Sequence, residues 1–238
     1  DFSSDKSKEI LNEYAESYPG KTRISFNTNN IGSVFKQWQR GIELADDEII
    51  WIAESDDFCD ENFLETLVPF FMDESIQLAY ARSVFIGTDD QPVAFAFDDY
   101  LSELDPGKWL SDYVESAHYE VITALGKKNT IPNVSSAIFR KPQNCSLFNN
   151  EAWSNMRICG DWVFYLHLIR GAKIAFTNGT RNYYRFHPAN SSASTYRKST
   201  YYQEHEFVAK TIAQLYNVPD STLYVNRQFV EIFWEQNM

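Results

Sequence analysis

The longest uninterrupted apolar stretch in the first quarter of the chain is Ile49-Ile50-Trp51-Ile52-Ala53, preceded by Glu48 and closed by Glu54-Ser55-Asp56-Asp57. A short run of β-branched and aromatic residues with charge at both ends fits a strand inside a parallel sheet. Upstream, Ile10, Leu11, Tyr14 and Ala15 fall at helical spacing and predict a helix over residues 6–18, with Ser3 or Ser4 as its N-cap and Pro19-Gly20 as its stop. Residues 23–26 read as a short strand and 27–32 as an Asn-rich turn. Residues 33–45 predict a second helix, and a third runs from Asp60 or Asn62 through Met72. Ile76–Ile86 returns as a strand. This β-α-β rhythm, sustained to about residue 97, predicts a mostly parallel sheet covered by helices.

The pattern loosens afterwards. Residues 109–125 read as helical, 131–139 as extended and 161–170 as a helix ending at Gly171. Residues 173–186 read as a strand with a turn at Asn178-Gly179, and helices over 201–216 and 222–236 follow. Neither an internal repeat nor a low-complexity linker interrupts residues 1–238, so they read as one α/β domain.

Composition narrows the class. At 238 residues and 44% hydrophobic, the chain can bury a sizeable core. No run reaches the ~18 apolar residues needed to span a bilayer, and no signal peptide is recognised. Cys59, Cys145 and Cys159 have no metal-ligand spacing and read as reduced thiols of a cytoplasmic protein. The net charge of −12 is unevenly spread: residues 1–115 carry 25 acids and 8 bases, residues 116–238 carry 8 acids and 13 bases. Such halves could hold a metal and a phosphate between them, or be ordinary solvated surface. No dense Lys/Arg stripe is present, which disfavours a nucleic-acid partner.

The carboxylates after residue 53 would lie at the carboxyl end of a strand, where open α/β sheets bind ligands. Crowded carboxylates repel one another unless a positive group lies between them, and an oxygen-preferring divalent cation would serve. The alternative is a solvated acidic turn that starts the next helix. Asp161 opens an apolar helix whose N-terminus would favour its ionised form, as a general base or as a plain cap. His187 stands among Arg181, Arg185, Arg197 and Lys198, and the Ser-, Asn- and Ala-rich residues 188–195 that follow suit a mobile lid. His167 reads as packing, His118 and His205 as surface.

Taken in order, these segments resemble a known series. Asp1-Phe2-Ser3-Ser4-Asp5, Asn30-Ile31-Gly32-Ser33, Gly41-Ile42-Glu43-Leu44-Ala45 and Glu54-Ser55-Asp56-Asp57 come first. Ser135-Ser136-Ala137-Ile138-Phe139-Arg140, Gly160-Asp161-Trp162 and Tyr184-Arg185-Phe186-His187 with Ser191-Ser192 follow. Over roughly residues 1–195 the series resembles the inverting glycosyltransferases of family 2, with the GT-A fold. Two departures stand out. Glu54 replaces the first Asp of the acidic motif, and the family's first strand, helix and second strand are expected before Asp1, so the chain reads as N-terminally truncated.

The resemblance implies an α/β, GT-A-type Rossmann-like, mostly parallel sheet flanked by helices, with C-terminal helices. Residues 1–100 would be the nucleotide-sugar-binding half, 101–200 the acceptor and catalytic half, and 201–238 the C-terminal helices. It implies metal-dependent inverting transfer of a sugar from a nucleotide-diphosphate sugar to the hydroxyl of a glycan or lipid-linked acceptor. Bacterial surface-polysaccharide or glycoconjugate synthesis at the inner face of the membrane, by peripheral contact without a transmembrane segment, is the implied setting. By the same resemblance Asp56, Asp57 and His187 lie at a Mg²⁺ or Mn²⁺ ion, Glu54 meets the ribose hydroxyls, Asp1 and Arg185 contact the donor, and Asp161 is the base. Trp109, Tyr113, Tyr119 and Trp153 are candidate platforms for a sugar ring. A non-catalytic nucleotide- or sugar-binding module of the same fold is the alternative. A phosphoesterase or nucleotidyltransferase would be expected to show a second metal-ligand motif or a Gly-rich phosphate loop, and the sequence has neither.

Overall fold

The structure, a computed structural model, describes residues 2–142, 152–187 and 198–237. Among them six strands form one sheet: β1 (Ile49–Trp51), β2 (Phe58–Cys59), β3 (Ile76–Ile86), β4 (Tyr113–Ser116), β5 (Ala137–Arg140) and β6 (Lys173–Arg185). Their order is β1-β5-β3-β6-β2, and β4 pairs the first part of β6. β3 and β6 run parallel from Ile76 beside Lys173 to Ile86 beside Arg185. β5 lies antiparallel between β1 and β3, so β1, β3 and β6 all point the same way. Helices flank this sheet, and the α/β class stands as expected.

The pairing differs from the mostly parallel ladder predicted. Only β3 with β6 is a parallel pair among the described strands; β2 and β4 meet β6 antiparallel. The cause lies in how the chain re-enters. The turn Val134–Ser136 sits where β1 ends, with the Trp51 Nε1–H donating to the Ser135 carbonyl at 2.9 Å and the Glu54 N–H donating to Ser135 Oγ at 3.0 Å. A strand that starts at that end of the sheet can only run back along β1 and β3.

β3 shows why the strand signal was so continuous. Leu78 and Tyr80 enter the core on one face with Phe139 and Phe176, while Ala79 and Ala81 face Phe63, Leu67 and Ile138 on the other. A strand buried on both faces loses the apolar-polar alternation of a half-exposed one.

Among the described residues the helices are α1 (Ser7–Ser17), α2 (Val34–Leu44), α3 (Phe63–Leu67), α4 (Phe97–Leu101), α5 (Ala117–Glu120), α6 (Gly160–Leu168), α7 (Ser199–Leu215) and α8 (Asp220–Asn237). In α2 the Ser33 hydroxyl caps the Lys36 N–H at 3.3 Å, and Phe35, Trp38 and Ile42 form the buried stripe. α3 is shorter than expected because Pro69 has no N–H to continue it, and Val68–Met72 tightens into a 3₁₀ turn.

Several other expectations need correction. The N-cap position of α1 is Lys6, with Asp5 Oδ1 accepting from the Ser7 N–H at 2.9 Å, and the helix buries none of its residues. Residues 23–26 form no strand; Arg23 pairs with Asp46, and Arg40 Nη2 donates to Ser25 Oγ at 2.6 Å. The helix expected over 109–125 begins only at Ala117. Before it, the alternating residues of β4 pair with Lys173–Phe176 of β6, and Ser116 Oγ then caps α5. Residues 131–139 contain the 3₁₀ turn Val134–Ser136 before β5. The expected turn at Asn178-Gly179 is a bulge inside β6, where the register jumps from Ala81–Thr177 to Arg82–Arg181. Among the described residues no helix is long and apolar enough to cross a membrane.

Candidate active site

The shared direction of β1, β3 and β6 brings their carboxyl ends to one edge. The turn Glu54-Ser55-Asp56-Asp57 leaves β1 and joins β2, which pairs with the outer part of β6 at Phe58 beside Tyr183. Asp57 ties that turn down. Its Oδ1 accepts from the Arg185 N–H at 3.0 Å and its Oδ2 from Asn133 Nδ2 at 2.9 Å. Asn133 in turn donates to Asn182 Oδ1 and accepts from the Ser83 hydroxyl, and Asn182 Nδ2 donates to the Phe58 carbonyl at 3.1 Å. This buried amide cluster fixes the turn against both long strands.

Arg185, at the end of β6, completes the frame. Its Nε donates to the Asp56 carbonyl at 2.8 Å, while Nη1 reaches the Gly87 carbonyl and pairs with Asp90. Two residues later His187 Nε2 lies 3.0 Å from Asp56 Oδ2. Asp56 and His187 are both partly open to solvent, whereas both Asp57 oxygens are engaged by protein donors.

Asp56 and His187 therefore bring a carboxylate oxygen and an imidazole nitrogen into hydrogen-bond contact at an open edge. Among the described residues no group of three or more His, Cys, Asp or Glu is arranged to hold a metal. The Mg²⁺ or Mn²⁺ implied by the sequence resemblance still fits this pair, because such cations take few protein ligands and complete their shell with water and phosphate oxygens.

Glu54 and Asp161 form the second part of the site. Burial, reinforced by Asp57, Asp56 and then Asp161, pushes the Glu54 carboxyl up to about 8. Asp161 sits in the first turn of α6, after Cys159 at the N-cap position, so it is not itself the N-cap residue. Its Oδ1 accepts from the Trp162 N–H at 2.7 Å and its Oδ2 from Asn129 Nδ2 at 2.9 Å. Burial outweighs those donors and pushes it up to about 7. One turn on, the fully buried Tyr165 hydroxyl, raised by burial and then by Asp161 and Glu54, has no hydrogen-bond partner among the described residues. The three groups thus lie close enough to influence one another's charge.

Gly160 sets the approach of α6. A Cβ there would lie 2.4 Å from the Phe35 ring and 2.6 Å from the Trp153 carbonyl oxygen. That close contact seats the start of α6 on α2 and directs Asp161 toward β1.

The remaining sequence candidates fall elsewhere. Asp1, the expected lid 188–195 and Cys145 lie outside the described residues. Trp109 and Trp153 are core residues, 2% and 1% exposed, not platforms. The Tyr113 hydroxyl is 2.6 Å from that of Tyr80, and Tyr119 is exposed beside Lys108. His205 is not a surface residue but packs against Cys159, Trp162 and Tyr201. Asn129 and Asn133 hold the carboxylates, with Asn182 behind Asn133, and were not singled out in the sequence; Ser135 was quoted only as part of the segment 135–140. Isolated amides and hydroxyls carry no spacing signal until the strands bring them together.

Residues 1–128 match the family described as glycosyl transferase family 2. No curated protein sequence matches the chain. Among solved structures, S. aureus TarS 1–349 is similar with a TM-score of 0.62 at 13% identity, covering 93% of this chain and 56% of that one. The same protein in complex with UDP-GlcNAc gives 0.62 at 15% identity, covering 96% and 60%. Its complex with UDP gives 0.59 at 15%, covering 97% and 59%. This chain spans less than two thirds of the length of those structures, and at such identities the likeness establishes a shared GT-A fold. With the family matched over more than half of its length, the chain belongs to glycosyl transferase family 2.

Proposed function

We propose that this chain transfers a sugar from a nucleotide-diphosphate sugar to an acceptor hydroxyl with inversion, assisted by Mg²⁺ or Mn²⁺. The observation that carries the reading is the division of the site. One part is an open carboxylate-imidazole pair, Asp56 with His187, and the other is the half-buried Asp161, whose carboxyl is raised to about 7. TarS has been solved with UDP and UDP-GlcNAc, which supports a uridine-type donor here as a working choice.

In this reading Asp56 and His187 hold the cation, which would neutralise charge on the departing diphosphate. Asp57 fixes the turn, Arg185 braces it through the Asp56 carbonyl, and Glu54 faces the donor ribose. Asp1 would belong to the donor pocket. Asp161 accepts the proton of the acceptor hydroxyl on the face opposite the leaving group, and a base with a pKa near the working pH suits that step. Residues 1–100 would bind the donor and 101–200 the acceptor, a glycan or lipid-linked hydroxyl in surface-polysaccharide synthesis at the cytoplasmic side of a membrane.

Calorimetry with UDP, with and without Mn²⁺, tests the donor side. Mn²⁺ should tighten UDP binding at least about tenfold, and Asp56→Asn should abolish that enhancement while the protein stays folded. Equal UDP affinity with and without Mn²⁺ in the wild-type chain would overturn the metal-assisted reading.

A further inference from the structure

Glu204 lies on α7, outside every motif of the site, yet the residue is only 8% exposed and its carboxylate is filled by backbone donors. Oε1 accepts from the Arg157 N–H at 2.7 Å, and Oε2 accepts from the Ile158 N–H at 2.9 Å and the Cys159 N–H at 3.0 Å. These three amides are the residues leading into α6, and the last belongs to its N-cap position. The Cys159 side chain makes no cap bond there, so a carboxylate from another helix takes over the capping of this end.

We propose that Glu204 is a positioning residue of the active site: by gathering the Arg157, Ile158 and Cys159 amides it fixes the first turn of α6 and so the direction of Asp161. The inference rests on the assignment of Asp161 as the base but adds a residue that no motif of the site contains. The arm is specific in reach. Glu204 fills both oxygens from one helix, while the neighbouring His205 packs on Cys159 Sγ at 3.6 Å and closes the same junction.

The clamp also has an electrostatic consequence. Asp161 is faced by Glu54 from the end of β1, by Tyr165 and Cys159 of its own segment, and by Glu204 from α7. Glu204 is the one carboxylate in this set that both orients the α6 turn and raises Asp161. Replacing it with a neutral side chain removes one of the causes that raise Asp161, and loosening that let in water would relieve burial and lower the midpoint as well, so the charge-keeping Glu204→Asp separates the two effects.

The experiment compares wild type, Glu204→Gln and Glu204→Asp in the full chain. Asp161 is titrated by carbon NMR of labelled carboxyls, assigned with Asp161→Asn, and exchange of the three amides is followed by NMR. In Glu204→Gln the Asp161 midpoint should fall by about half a unit or more, the three amides should exchange at least about tenfold faster, and UDP affinity should be unchanged. Glu204→Asp keeps the charge on a shorter arm. Its Asp161 midpoint should stay within about 0.3 unit of wild type while the amides exchange faster, and this variant decides the matter if the Gln variant does not fold. An unmoved Asp161 midpoint in Glu204→Gln, or unchanged exchange in both variants, overturns the inference. UDP binding reports separately on the donor-site reading, so the two can fail independently.

Discussion

Asp161 has to satisfy two opposed demands. In the proposed reaction it must be ionised to take a proton, yet it sits where burial favours its neutral form. Two donors, the Trp162 amide and Asn129 Nδ2, recover part of that cost and leave the group near 7 instead of higher. Glu54 is held at about 8 by burial and by its acidic neighbours, so at neutral pH the two carboxyls together carry fewer charges than their number suggests. Asp161→Asn keeps shape and removes basicity. Transfer by that variant should fall by a factor on the order of 10² or more, with UDP affinity retained, because the base addresses the acceptor and not the donor. Turnover within a few-fold of wild type would reduce Asp161 to a structural residue. The acidic motif and Asp161 stood out in the sequence because one follows an apolar run and the other opens an apolar helix, although their roles stay proposals. Asn129 and Asn133 did not, since a polar side chain declares its role only through the partner it finds across the fold.

At the level of elements, the site depends on how closely α6 and α2 approach. Gly160 allows the Phe35 ring and the Trp153 carbonyl to fill the space a side chain would need. Gly160→Ala forces a methyl against a backbone oxygen as well as a ring. It should destabilise the chain by about 1–3 kcal/mol, the usual cost of overpacking, and should displace Asp161 enough to slow turnover. Urea unfolding measures the first effect, and an unchanged midpoint would show that the contact relaxes freely. The elements themselves were unequally readable. α2, β3 and β6 were found nearly to their ends because long apolar runs or a clear 3.6-residue stripe marked them. β4 was read as helix: its Tyr113-Val114-Glu115-Ser116 alternation is only four residues long and is followed at once by a true helical segment. The direction of β5 was not readable at all, because it follows from the Ser135 contacts with Trp51 and Glu54, which are long-range.

For the whole molecule, the same groups that suit the proposed chemistry should set how stability varies with pH. Asp161 titrates near 3.8 in an unfolded chain and near 7 in the folded one, so between those values the folded state holds a proton that the unfolded state has released. Stability contributed in this way falls as pH rises through that window and levels off above it. Asp73 acts in the opposite sense: held at about 2 by Ser75 and Lys173, it contributes stability that is lost only as pH falls below its ordinary 3.8. The chain should therefore be most stable in mildly acidic solution and weaken toward pH 8. Asp161→Asn provides the internal control, since a neutral amide matches the protonated carboxyl in shape and in having no charge to titrate. The variant should melt close to wild type at pH 5, and the difference in its favour should widen between pH 5 and 8. Melting temperatures of both proteins across that range measure it. A constant difference between the two, at every pH, would mean that Asp161 is ionised throughout and that burial does not govern it.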